Sequence, residues 1–179
     1  MHPDRYPRRI LLCVAGLSPQ IVTETLYALT RPGESRFVPT EIHLLTTAEG
    51  AERARLTLLS DEPGWFQRLL RDYGLPEIRF TLDMIHILRA GDGRWLNDIR
   101  EPADNEAIAD RITATVRELT ADPDSAVHAS IAGGRKTMGF YLGYALSLFG
   151  RPQDRLSHVL VSSAFESNPH FFIRLRWNG

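Results

Sequence analysis

Cysteine is almost missing from the 179 residues: Cys13 stands alone. That excludes a disulfide framework, and its place inside an apolar run makes it a buried core thiol rather than a nucleophile. Also missing is any apolar run near the roughly 18 residues that a membrane-crossing helix needs. The start, MHPDRYPRR, has basic residues but no adequate signal-peptide region before the turn at residues 16–20, so a cytoplasmic location is expected, with no membrane partner. There is no excess of positive charge either. A formal net charge of -1 argues against a general binder of duplex nucleic acid, whose phosphate contacts need a positive surplus, yet it leaves room for a small basic pocket. The chain holds no G-x-G-x-x-G fingerprint and no G-x-x-x-x-G-K-[ST] loop, so ordinary dinucleotide or P-loop binding does not fit. H-E-x-x-H and C-x-x-C spacings are absent too. His43, His86, His128 and His158 all fall in or next to predicted strands and read as structural, so no metal and no cofactor is expected. Ser18 lacks the G-x-S-x-G setting of an esterase nucleophile.

What is present is ordinary for one globular domain: 43% hydrophobic and 24% charged residues, in a length suited to a single domain over residues 1–179. Arg9 to Ala15, RILLCVA, is continuously apolar and suits a central parallel strand covered on both faces. Gly16-Leu17-Ser18-Pro19 forms a turn, and Gln20 to Thr30 a helix with Ile21, Thr25, Ala28 and Leu29 toward the sheet; Ser18 is placed to cap it with Pro19 at its first position. Thr40 to Thr46 is a second strand, Glu49 to Leu59 and Trp65 to Tyr73 are helical, and Glu77 to Asp83 is a third strand after the Gly74 and Pro76 stop. Residues 84–102 read as a loop insertion or lid, although IHIL at its start also suits an extension of the third strand or a short crossing element; Arg89, Arg94 and Arg100 there are more simply solvent-facing than ligand-binding. A helix follows over Ala103 to Leu119, then a fourth strand leading out of the turn Asp122 to Ser125. The next helix offers Phe140, Leu142, Ala145, Leu146 and Phe149 for packing, and Leu156 to Ser162 is a fifth strand. Residues 163–179 form a C-terminal extension whose Phe171 to Trp177 suits an edge strand or a dimer contact.

Strand and helix alternation of this kind predicts an α/β, Rossmann-like, mostly parallel sheet with helices on both faces, in the order 3-2-1-4-5 plus a C-terminal edge element. In that order strands one and four are neighbours where the winding reverses, and ligands collect at their C-terminal ends. Two motifs then share one crevice. GLSPQ follows strand one, and GGRKT follows strand four. Gly133 and Gly134 allow a sharp turn, and the helix start behind them presents unpaired N–H groups with Arg135, Lys136 and Thr137 at its head, a setting that favours a phosphate or another anion.

The stretches ILLCVAGLSPQIVTETLYAL, SIAGGRKTMGFYLGYALSLFG and LSHVLVSSAFESNPHFF resemble the CRISPR-associated Rossmann-fold (CARF) domains of type III CRISPR antiviral systems, essentially from Arg9 to Phe172. The resemblance implies a homodimer that binds a cyclic oligoadenylate across its two-fold axis. Some family members only sense this ligand, and others, the ring nucleases, cleave it. Carried over, Ser18 resembles the strand-one residue that contacts the ribose or scissile phosphate, Lys136 the lysine that stabilises the transition state, and Arg135 its phosphate-binding neighbour. Gly133 and Gly134 match the turn whose amides meet the phosphate. Gly16, Leu17, Gln20, Thr47 and Thr137 are further ligand contacts, and Glu166 matches a feature of the family without an assigned role. The expected activity is metal-independent linearisation of cyclic tetra-adenylate (cA4) by ribose 2′-hydroxyl attack, switching off type III signalling. A domain of this size with no effector attached favours degradation of the messenger. The alternative is a sensor or regulatory domain that binds the ring without cutting it. A transcriptional or structural module with a vestigial pocket is a third reading, weakened by the lack of a helix-turn-helix. Arg79 to His86 and Arg151 to His158 meet the R-x4-6-H spacing of ribonuclease effectors, but both run across or into predicted strands.

Overall fold

The computed structural model describes residues 2–33, 36–97, 102–159 and 172. Its centre is β1 (Arg8–Ala15), whose last six residues are fully buried. Ile10, Leu12 and Val14 face one apolar cluster and Leu11, Cys13 and Ala15 the other, which is why this strand reads as an uninterrupted apolar run. Each large aliphatic side chain buried there contributes about 1.5–3 kcal/mol. Parallel partners flank it: β2 (Glu41–Thr46) in the register Ile10↔Glu41 to Ala15↔Thr46, and β4 (Ser125–Ser130) from Arg8↔Ser125 to Cys13↔Ser130. β3 (Ile85–Ile87) extends the sheet beyond β2 and β5 (Arg155–Ser157) beyond β4, so the order is the expected 3-2-1-4-5.

The helices α1 (Gln20–Thr30), α2 (Ala48–Ala54) and α3 (Trp65–Asp72) cover one face, and α4 (Pro102–Thr120) and α5 (Lys136–Phe149) the other. In α2 the turns widen into a π-helical segment, Arg55–Leu59. On α1 the residues Ile21, Thr25 and Leu29 are buried as expected, whereas Ala28 is exposed and Val22 and Leu26 take the inner positions.

Four local expectations need correction. The third strand is not Glu77 to Asp83. Only Arg79 of that stretch bridges β2, at Glu41; a 3-10 turn at Leu82–Met84, beside a 2.6 Å bond from Thr81 Oγ1 to Asp83, interrupts pairing before β3 resumes it. The fifth strand begins at Arg155 and ends at Ser157; residues 160–162 of the expected span lie outside the described residues, as do Arg100, Glu166 and, apart from Phe172, the extension 163–179. Ser18 does not cap α1, whose N-cap position is Pro19 and carries no side-chain bond. Phe140 does not pack inward: it is 65% exposed.

Candidate functional site

At the C-terminal ends of β1 and β4 the loops expected to meet do meet. A Cβ on Gly16 would stand 3.9 Å from the Gly134 Cα, so the two loops lie side by side, about one methyl group apart. Gly133 lies hard against β1 and α1, where a Cβ would come 2.8 Å from the Val14 carbonyl oxygen and 2.8 Å from Ile21 Cγ1. Gly134 has φ 79°, the left-handed region that favours glycine. Beneath them Thr25 Oγ1 and Ser130 Oγ are hydrogen-bonded at 3.2 Å in the interior, tying α1 to β4.

α5 starts at the head of this turn. Arg135 occupies its N-cap position in extended conformation, and no side chain caps the helix. Among the described residues the first amides of α5 and the positive end of its dipole therefore face the crevice without a side-chain cap. Lys136 and Thr137 are exposed. Lys136 is the single lysine among 21 basic residues, and it makes no ion pair among the described residues. Arg135 is exposed beside it.

Across the crevice Leu17 and Ser18 are exposed and Gln20, the first residue of α1, is half-buried. The backbone carbonyl of Leu17 accepts a long bond, 3.5 Å, from Arg53. Thr47 is also at this end of the sheet, but its hydroxyl is already engaged: it accepts from the Gly50 N–H at 3.2 Å as the N-cap of α2, and the residue is buried. Glu166 lies outside the described residues.

Two residues that the sequence did not single out build this end of the fold. Thr46, fully buried, donates its hydroxyl to the Gly16 carbonyl at 3.3 Å while its own carbonyl accepts from Leu88 N at 2.8 Å. Gly50 leaves room for both, because a Cβ there would overlap Thr46 Oγ1 and the Gly16 oxygen. A glycine in the first turn of a helix is a poor helix former, and that was the available signal.

The titratable groups near the crevice are few. Cys13 is sealed in the core and its thiol is pushed up to about 12 by burial, which leaves it inert. His128 is held down at about 4 by burial and by Arg155, and bonds Ser157 Oγ at 2.8 Å. Among the described residues no group of three or more His, Cys, Asp or Glu side chains is placed to hold a metal ion. An open groove of about 550 Å³, lined by Gln67, Arg71, Glu77 and Arg79 among others, belongs to the other end of the sheet, where Arg79 pairs with Glu41.

No helix among the described residues is long and apolar enough to cross a membrane. No curated protein matches the sequence. Among solved structures, the chain is similar to a "putative UDP-N-acetylglucosamine 2-epimerase" from Listeria monocytogenes at 16% identity and a TM-score of 0.41, with 85% of this chain and 31% of that one covered. The chain thus spans about a third of the length of that protein. The profile of the CRISPR-associated protein NE0113 family matches residues 18–177, nearly the whole chain and both crevice loops from Ser18 onward, and the protein belongs to that family of CRISPR-associated proteins.

Proposed function

We propose that the protein is a CARF-type ring nuclease of a type III CRISPR system, which binds and linearises a cyclic oligoadenylate, cA4 in preference to larger rings. The observation that carries the reading is the close approach of the Gly16 and Gly134 loops, which sets the Ser18 loop beside the α5 head in a chain that belongs to a CRISPR-associated family.

In this reading the ribose 2′-oxygen attacks the adjacent phosphorus as the bond to the 5′-oxygen breaks. The 2′-hydroxyl proton is lost and the departing 5′-oxygen gains one, leaving a 2′,3′-cyclic phosphate and a 5′-hydroxyl. Such a reaction needs in-line positioning and donors aimed at the charge that develops on the phosphoryl oxygens. Lys136, Arg135 and the amides of Gly134 to Thr137 supply the donors, and Ser18 orients the attacking hydroxyl. Gly16, Leu17 and Gln20 shape the opposite wall. Thr47 contributes through the α2 cap rather than by direct contact.

The working unit is a homodimer. Phe140, Tyr144 and Leu148 are 65%, 56% and 56% exposed and follow Lys136 at four-residue steps along α5, a continuous apolar ridge that begins at the site. A second copy seated on it covers the ridge and duplicates the donors around a ring that itself has a two-fold axis.

One observation favours the alternative of a sensor that binds without cutting: neither GLSPQ nor GGRKT carries a carboxylate or an imidazole to act as general base. Incubation with cA4 in EDTA followed by product analysis separates the two. Linear products with 2′,3′-cyclic phosphate ends, lost in Lys136→Ala, support the nuclease. Tight binding of an intact ring supports the sensor, and neither binding nor cleavage overturns both.

A further inference from the structure

β3 runs at its C-terminal end into a tight hairpin over residues 88–96. Its ladder is Leu96 N to Leu88 O at 3.0 Å and Ala90 N to Arg94 O at 2.9 Å, closed by Gly93 N to Ala90 O at 2.9 Å. Leu88, Ala90 and Leu96 point into the core. By the alternation of a strand, Arg89 and Trp95 stand on the other face, paired across the hairpin. The Arg89 guanidinium lies 3.9 Å from the centre of the indole ring, and Trp95 is still 50% exposed.

The hairpin is fixed to the crevice, not merely near it. Thr46 holds Leu88 with its carbonyl and Gly16 with its hydroxyl, so one buried residue joins the hairpin to the Ser18 loop. Ala48 N donates to Leu96 O at 2.8 Å, immediately after Trp95. On the far side Arg94 reaches the buried carboxylate of Asp104 at 3.3 Å. The sheet is parallel, so this hairpin, the Gly16 loop and the GGRKT turn all leave from the same end.

We propose that Trp95, backed by Arg89, is a nucleobase-stacking position on the rim of the crevice, which takes one adenine of the bound ring while the α5 head holds its phosphates. The proposal rests on the ring-binding reading above. An indole kept half in water gives up part of the stabilisation that burial would bring, and here it is carried on a hydrogen-bonded hairpin with a cation over the ring and half of its surface exposed. A purine stacks on such a face whatever its hydrogen-bonding edge, and the guanidinium behind it adds to the attraction. Because the hairpin is already ordered, little entropy is lost when the base docks.

The test uses the full chain and cA4 with 2′-fluoro groups, which cannot undergo 2′-hydroxyl attack. Affinity is measured by calorimetry and tryptophan emission by titration for the wild type, Trp95→Phe and Trp95→Ala. The expected result is quenching in the wild type, near-wild-type affinity with most of the quenching lost in Trp95→Phe, and affinity weakened by roughly fivefold to a hundredfold in Trp95→Ala. A loss below about fivefold in Trp95→Ala, or quenching that survives in Trp95→Phe, overturns the stacking role and leaves ring binding standing. If the wild type does not bind the ring, the ring-binding reading falls and the subsite with it. Should Trp95→Ala fail to fold, the quenching lost or kept in Trp95→Phe decides alone.

Discussion

The two ends of the sheet treat positive charge in opposite ways. At the N-terminal end three arginines are paired with carboxylates: Arg8 lies 2.7 Å from Glu41 and 3.4 Å from Asp122, Arg79 also reaches Glu41, and Arg151 is 2.9 Å from Asp154. His43 bonds Glu41 at 3.1 Å and His86 at 2.8 Å. Burial alone would raise the Glu41 carboxyl, but the hydrogen bonds from Arg8, Arg79 and His43 outweigh it and hold the group down at about 2. At the C-terminal end Lys136 is exposed and makes no ion pair among the described residues. The charge of those arginines is consumed within the fold, whereas that of Lys136 faces solvent. The same sheet thus separates a locked end from a receptive one.

Substitutions at each end test that division. The largest effect is expected from Lys136→Ala, which lowers cleavage of cA4 by about 100-fold or more without moving the melting temperature; retention of cleavage would remove the receptive end from the chemistry. Gly133→Ala comes next, because its methyl meets a backbone carbonyl at 2.8 Å rather than a flexible side chain. It costs about 1–3 kcal/mol in urea unfolding and weakens ring binding. An unchanged urea midpoint would show that the turn relaxes freely.

Glu41→Ala is expected to cost about 1–2 kcal/mol, below the cost of breaking a fully buried pair because the Arg8 and Arg79 side chains are partly solvated. Ring affinity should stay the same. A parallel loss of affinity in the folded variant would mean that the two ends are coupled, and the contrast would fail. Acid titration probes the buried histidines together with Glu41 of the locked end. Burial holds His86 and His128 neutral down to about 4, aided by His43 and Arg111 around the former and Arg155 near the latter. The unfolded chain takes up protons from about pH 6.5, so stability is full above that pH and declines as pH falls toward 4, with Glu41 adding a further loss between its ordinary range and about 2. Melting temperatures that stay flat from pH 6.5 to 4 would contradict this, and His128→Gln should flatten the slope. The smallest effect belongs to Ser18→Ala, about tenfold or less on cleavage with ring affinity nearly unchanged. A large loss of affinity instead would make Ser18 a binding anchor.

Much of the fold was legible because its signals are local. RILLCVA is apolar on both faces, so it had to be central, and the strand and helix alternation then set the order. The crevice was legible as well, since the glycine turn and the basic helix head lie next to each other in the chain. The displaced third strand was not: Ile78 and Phe80 are buried like strand residues, and only the 3-10 turn at Leu82–Met84 shows that pairing lapses between Arg79 and Ile85. Phe140 has the same apolarity as its inward neighbours, and which face of α5 it takes depends on the packing of α4. Thr46 and Trp95 depend on partners 30 or more positions away along the chain in one case and on a hairpin register in the other, and neither spacing carries a motif.

A chain with one lysine, placed at the mouth of its crevice, carries its own reporter. Isotopic labelling of lysine yields one set of side-chain resonances, and amine-directed acylation has one ε-amino target. Ligand at the α5 head would shift the first and slow the second, so occupancy of the crevice can be read without a mutation.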